Sequence, residues 1–388
     1  MSHLSAEDAA LIAQRVYLLK DATAADLKAQ NRSLGCEGLF KVDAASRFSG
    51  KSGGNVLRQL SGFGYITEGD GVREGEILVV TRGTKTFCDV LSDAHCGLRT
   101  GPGGLPVHLG FQRIWDSFAS ELRSFLQGRN PTHVHCVGHS LGGALATLSA
   151  DYFASLKLPV SLYTFGSPRV GPAAFSDNLT GHVGAENIFR VAHTTDPVTM
   201  VPTFPFLHVP TEGKSYTISK GGLIWIGAHY MAQYGDSVTG KSWGSLVNTP
   251  VPMDWSDVVA RAWLDAVKEG KSGIAMYSVA SLNVIAQALR WLIRKALSFG
   301  IDFMCLEMTE SFTAADMMAK LVSQAPALSK ELADDTRTIM SAVLQFLGRP
   351  ATTPREITFE FADWVFTLLR TTLHIMAGRA LMSNALER

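Results

Sequence analysis

The chain has 388 residues, 46% of them hydrophobic and 18% charged, so it is too long for one minimal domain and too apolar for a disordered tail or a fibre. Glycine at 36 and proline at 15 are ordinary frequencies, which excludes collagen-like and low-complexity chains. Lys plus Arg and Asp plus Glu both number 35, and this zero formal charge gives no electrostatic reason to bind nucleic acid.

The start, MSHLSAEDAALIAQ, lacks the basic patch and apolar run of a secretory signal. Ser5-Ala-Glu-Asp8 reads instead as a helix cap, with a serine for the first-turn N–H groups and acids on the positive helix end. The expectation is a protein made in the cytoplasm without a signal peptide, with any export by a non-Sec route. No stretch of about 20 residues is apolar enough to span a bilayer. The five cysteines (Cys36, Cys88, Cys96, Cys136, Cys305) form no disulfide framework and no CxxC metal pair. Spacing leaves a Cys88–Cys96 bridge open. No metal or cofactor is expected.

Through residue 250, short apolar runs alternate with helical stretches. Strands are expected at Ile77–Val80, His133–Val137, Val160–Phe165, Asn187–His193 and, more weakly, Ser215–Ser219. Helices are expected at Phe111–Leu126, Leu141–Leu156 and Ala173–Leu179. This alternation predicts an α/β fold, a mostly parallel sheet covered by helices, with ligands at the carboxyl ends of its strands. After Pro250 and Pro252 helical periodicity dominates: Ser256–Val267, Ile274–Phe299, Ala314–Ser323, Leu328–Leu347 and Glu356–Met382. The chain therefore divides into residues 1–250 and an all-helical extension, 251–388. Trp364, Val365, Leu368, Leu369, Leu373 and Met376 make an apolar face that must be buried, so the extension is expected to pack on the first part near its cleft and shape an apolar pocket. A transient membrane contact through one such helix would depend little on anionic lipid.

G-x-S-x-G occurs at Gly50–Gly54, Gly138–Gly142 and Gly240–Gly244. The pentapeptide alone is weak evidence; the chemistry needs a serine on a tight strand-to-helix turn. The first match sits in a Ser/Gly loop with no expected strand before it, and the third runs into Pro250 and Pro252. Only Ser140 has an apolar strand before it and a long helix after it. A nucleophilic serine needs a base, and the base an orienting acid. Asp196 follows an apolar strand and precedes Pro197; Asp177, inside a short helix, is the rival. Of the later histidines, His374 lies in a Leu/Met-rich helix and suits packing. His229 follows a glycine loop and is the better placed base, with His208 the alternative. Oxyanion donors are expected from the Leu141 N–H, directly after the nucleophile, and from Thr84, at the end of the Ile77–Val80 strand. A competing nucleotide site, Gly235-Asp-Ser-Val-Thr-Gly-Lys-Ser242, has the P-loop spacing but neither the strand before it nor the helix after it.

These residues resemble the class 3 lipase family, whose fold is α/β-hydrolase-like. The likeness runs over about residues 76–235 and rests on Val79-Val-Thr-Arg-Gly-Thr84, Val107-His-Leu-Gly-Phe111, Val137-Gly-His-Ser-Leu-Gly-Gly-Ala-Leu-Ala146, Tyr163-Thr-Phe-Gly-Ser-Pro-Arg-Val-Gly171, Asp196-Pro-Val and His229. It implies Ser140 as nucleophile, Asp196 as acid, His229 as base, and Thr84 with Leu141 as oxyanion hole. The implied substrate is a lipid ester, of triacylglycerol or phospholipase A type. The family's mobile lid corresponds to about 88–107, which here is Gly/Pro-rich instead of an amphipathic helix. Members without signal peptides include bacterial phospholipase toxins delivered by contractile (type VI) secretion; that role would add a cognate immunity or delivery protein as partner.

Overall fold

The computed structural model describes residues 3–19, 35–41, 46–52, 59–83, 97–203, 205–247, 249–250, 254–299 and 314–383. An eight-stranded sheet forms its centre, in the order β1-β2-β3-β6-β7-β9-β11-β12. The strands are β1 (Ser46–Ser52), β2 (Gln59–Glu68), β3 (Glu76–Thr81), β6 (His133–His139), β7 (Val160–Phe165), β9 (Ile188–His193), β11 (Lys214–Ile218) and β12 (Thr249–Pro250). Two small antiparallel pairs, β4 (Leu98–Thr100) with β5 (Pro106–His108) and β8 (Gly171–Pro172) with β10 (Phe206–Leu207), lie outside it. The five strands β3, β6, β7, β9 and β11 run parallel. β1, β2 and β12 are antiparallel additions at the edges.

β3, β6 and β7 are buried along their whole length because both their faces are covered. Along β3, Ile77 and Val79 point into one buried cluster, Leu78 and Val80 into the other. The first face is covered by α4 (Leu141–Ser155), with α2 (Leu109–Asp116) and α3 (Ala119–Leu126) beyond it. α4 is buried nearly all round, which explains why it reads LGGALATLSADYFAS with no polar stripe. The opposite face is covered by α1 (Ala6–Arg15) and α6 (Met231–Val238). Ser5 caps α1, accepting the Asp8 N–H at 3.0 Å.

Three departures from the sequence reading stand out. Phe111–Leu126 is not one helix: Ser117 and Phe118 separate α2 from α3, and the Ser117 hydroxyl bonds back to the Ile114 carbonyl at 2.6 Å. β1 and β2 were not anticipated, since their Ser, Gly and Lys residues carry no apolar run. Consequently Gly50 and Ser52 lie on an edge strand and not in a loop; residues 53 and 54 are outside the described set. α5 (Ala173–Val183) extends past Leu179 and holds Asp177 on its exposed side.

After residue 250 come α7 (Asp257–Lys268), α8 (Val279–Ser298), α9 (Ala314–Leu328), α10 (Lys330–Phe346) and α11 (Phe359–Ser383). Serine side chains start three of them: Ser256, Ser278 and Ser329 accept N–H groups of Val259, Ser281 and Leu332. Leu289, Leu292, Val322, Val343, Val365, Leu369 and Leu373 belong to the same buried cluster as Leu145 and Leu148 of α4 and as Val198 and Met200. α11 packs on two 3-10 turns of the first part, Pro197–Met200 and Ile226–His229. Among the described residues no helix is long and apolar enough to cross a membrane.

Candidate active site

The turn between β6 and α4 carries Ser140 at φ 62°, ψ −133°, a conformation that L-residues with side chains rarely adopt. The glycines around it are required by contact. A Cβ on Gly138 would stand 2.2 Å from the Gly142 carbonyl oxygen, and one on Gly142 would stand 2.2 Å from that of Thr81. A Cβ on Gly143 would meet the Ser167 side chain at 2.6 Å. Helix α4 can therefore start almost on top of β3 and β6. The Thr81 hydroxyl ties them together by donating to the Gly142 carbonyl at 2.6 Å.

The carboxyl ends of the next strands supply the partners. Asp196 follows β9 and His229 ends the 3-10 turn Ile226–His229. The Ser140 hydroxyl donates to His229 Nε2 at 2.9 Å, and His229 Nδ1–H donates to Asp196 Oδ2 at 2.8 Å. All three residues are buried. The Asp196 carboxylate has two further donors: the Val198 N–H to Oδ1 at 2.8 Å and the Tyr234 hydroxyl to Oδ2 at 2.7 Å. Tyr234 is fixed in turn. Its oxygen accepts the His193 N–H at 3.0 Å, and its ring stacks on His193 with centroids 3.9 Å apart. Burial holds the His193 imidazole down at about 4, so it stays neutral at ordinary pH.

A second chain of bonds fixes the base from behind. His139 Nε2–H donates to the His229 carbonyl at 2.9 Å, and the two rings stack at 4.8 Å. The Tyr17 hydroxyl donates to His139 Nδ1 at 2.7 Å and accepts the Gly83 N–H at 3.2 Å. Gly83 lies beside the nucleophile: a Cβ there would come within 3.3 Å of Ser140 Oγ. The loop after β3 thus reaches the serine, as an oxyanion loop must. Thr84, the expected donor, lies outside the described residues, as do Cys88, Cys96 and Cys305. Leu141 opens α4, where first-turn N–H groups lack intrahelical acceptors and the helix end is positive.

Ser140, Asp196 and His229 therefore converge, whereas the alternatives lie apart. His208 donates Nε2–H to the Thr199 carbonyl at 2.8 Å, and burial beside Arg190 and Arg169 pushes its pKa well below the ordinary value. His374 sits on α11. Ser242 is in a turn after α6, and Gly235–Val238 belong to that helix, so no strand feeds the P-loop-like segment. Among the described residues no group of three or more His, Cys, Asp or Glu is placed to hold a metal ion. The sequence reading missed Tyr234, Tyr17 and His139. A buried phenol needs a polar partner, but which one depends on how α6 folds back.

An acyl carbon placed at Ser140 Oγ would meet a hydroxyl already bonded to a base and a helix N-terminus facing the oxygen that gains charge. Residues 78–206 match the family model described as Lipase (class 3). Over that segment the chain is similar to the class 3 lipase family. A secreted mono- and diacylglycerol lipase of Fusarium solani is 35% identical over 183 residues, 43% of this chain and 54% of that protein. A phospholipase A1 of Oryza sativa subsp. indica is 41% identical over 90 residues, 22% of this chain and 20% of that one. The solved triacylglyceride lipase of Rhizomucor miehei is 23% identical, with 54% of this chain and 77% of that chain covered at a TM-score of 0.39. The chain spans about half the length of the first curated relatives it matches.

Proposed function

We propose that this chain is a serine carboxylester hydrolase acting on lipids, of triacylglycerol lipase or phospholipase A type. The observation that carries the reading is the continuous Ser140–His229–Asp196 hydrogen-bond chain on a strained strand-to-helix turn. In this mechanism Ser140 Oγ attacks the ester carbonyl while its proton passes to His229 Nε2. Asp196, held by Val198 and Tyr234, keeps Nδ1 protonated and stabilises the imidazolium. The carbonyl oxygen becomes an oxyanion received by the Leu141 N–H and by a donor of the loop after β3, where Thr84 stands. His229 then protonates the leaving alcohol, giving an acyl-enzyme. A water molecule deprotonated by His229 attacks that ester, releases the fatty acid and restores the Ser140 hydroxyl. The names of the relatives, an acylglycerol lipase and a phospholipase A1, support lipid as the substrate class.

The test is product analysis with mixed-chain phospholipids and triacylglycerols, beside the Ser140→Ala variant. Fatty acid release by the parent chain and its loss in the folded variant is the expected result. Equal release by both would end the proposal.

A further inference from the structure

Arg169 follows the Gly166-Ser167-Pro168 turn at the carboxyl end of β7. Its Nη1 donates to the carbonyls of Met200 and Pro202, both neutral acceptors. Among the described residues no carboxylate pairs with it. The charged groups around it are Arg190 and Arg290, and Arg290 already pairs with Asp254 at 2.8 Å. Burial and these two cations pull the Arg169 pKa down to about 9, so the guanidinium is still charged at neutral pH. Both of its carbonyl bonds use Nη1, which leaves the Nε and Nη2 donors available.

This uncompensated cation lines a cavity between the first part of the chain and the C-terminal helices. The other walls are mostly apolar: Leu282, Ile285 and Leu289 of α8, Met318 of α9, and Phe366 and Leu369 of α11. None of Ser140, Asp196 and His229 is among the residues that line it. An apolar chamber with one unpaired cation at its wall matches an apolar chain that ends in an anion, because a guanidinium fork accepts carboxylate or phosphate oxygens in pairs.

We propose that this cavity binds a single-chain anionic amphiphile, its alkyl chain among α8, α9 and α11 and its head group on Arg169. A long-chain carboxylate and an alkyl phosphate share that chemistry. The inference stands apart from the hydrolytic reading, because it concerns binding and not turnover.

The experiment is calorimetric titration of the full-length Ser140→Ala chain with palmitate, hexadecyl phosphate and hexadecanol, each below its micelle concentration. At least one anion should bind at one equivalent, at least roughly tenfold tighter than the alcohol. The anion that binds tighter identifies the head group. Ala286→Phe, which fills the cavity wall on α8, should weaken binding roughly tenfold or more. Arg169→Gln should bring anion and alcohol to equal affinity. Equal affinity for anion and alcohol in the parent chain, or no saturable binding of either anion, would overturn the proposal. So would undiminished anion binding by a folded Ala286→Phe chain. If a substitution fails to fold by circular dichroism, the parent's selectivity still decides the matter.

Discussion

The Tyr234 hydroxyl donates to Asp196 Oδ2 at 2.7 Å, on the same oxygen that receives the His229 Nδ1–H. It thereby limits how far the carboxylate can turn. Removing the hydroxyl would leave the His193 N–H without its acceptor and the carboxylate with one donor fewer, all in a buried site. Tyr234→Phe is expected to cost about 1–3 kcal/mol of stability and to lower ester turnover roughly tenfold through a less ordered Asp196. Urea unfolding and turnover of a soluble nitrophenyl ester measure the two effects. A variant unchanged in both would show that Val198 alone orients Asp196.

Ser140 stores strain at φ 62°, ψ −133°, which a residue of this kind tolerates at a cost of about 1–3 kcal/mol. Alanine keeps that strain and glycine relieves it. Ser140→Ala and Ser140→Gly should both lose ester hydrolysis. The glycine variant should be the more stable of the two by about 1 kcal/mol, after the greater freedom of its unfolded chain is subtracted. Thermal unfolding of the pair decides; an alanine variant as stable as the glycine one would mean that the turn is unstrained.

Much of this site was legible in the sequence. The β3, β6, β7 and β9 strands are rich in apolar residues because they are central and parallel, and that enrichment is legible without tertiary information. Ser140 was distinguishable from Ser52 and Ser242 by its flanks, a strand and then a helix. Asp196 and His229 followed from chain order and from the turns they occupy. What stayed hidden depends on long-range return of the chain. Tyr17 reaches His139 from the far end of the sequence, and Tyr234 comes back on Asp196 through α6. β1 and β2 hold their place through edge pairing, with Ser, Gly and Lys in β1 and no sustained apolar alternation.

Glycines that look alike in sequence should behave in opposite ways. A Cβ on Gly142 meets the Thr81 carbonyl oxygen at 2.2 Å, backbone against backbone, with nothing flexible to yield. Gly142→Ala should destabilise the fold by about 3 kcal/mol or more. Gly235 lies inside α6 with nothing within 4 Å of such a Cβ. Gly235→Ala should stabilise by about 0.5–1 kcal/mol. Denaturant midpoints of the two variants check both signs at once.

Asp151 of α4 is buried and accepts the Gly103 N–H at 2.7 Å. Burial pushes its carboxyl up to about 6, from an unfolded value near 3.8. Between those values the folded chain holds the proton more often than the unfolded chain does. This group's contribution therefore weakens the fold as pH rises from about 4 to about 6 and stays unfavourable above. Asp151→Asn keeps an oxygen for Gly103 and never ionises. It should be more stable than the parent at pH 8, by at most about 3 kcal/mol, with the advantage gone at pH 4. Urea titrations at the two pH values test it; an advantage that grows on acidification would reverse the sign of this argument.

Truncation after residue 250 probes what the C-terminal helices do for the site. α11 packs on the turns that deliver Asp196 and His229, and Val198, Met200 and Val201 share one buried cluster with Leu289, Leu369 and Leu373. Taking the helices away returns those side chains to water, at about 2 kcal/mol for each large one. It also frees the two turns whose spacing sets the His229–Asp196 bond. A net stability of about 5–15 kcal/mol cannot absorb many such losses. The fragment 1–250 should therefore aggregate, or remain soluble with strong binding of a hydrophobic dye and little ester turnover. Its turnover of long-chain substrate should fall at least as far as that of a short-chain ester. A monomeric fragment with full activity on both would show that the turns hold Asp196 and His229 in place unaided.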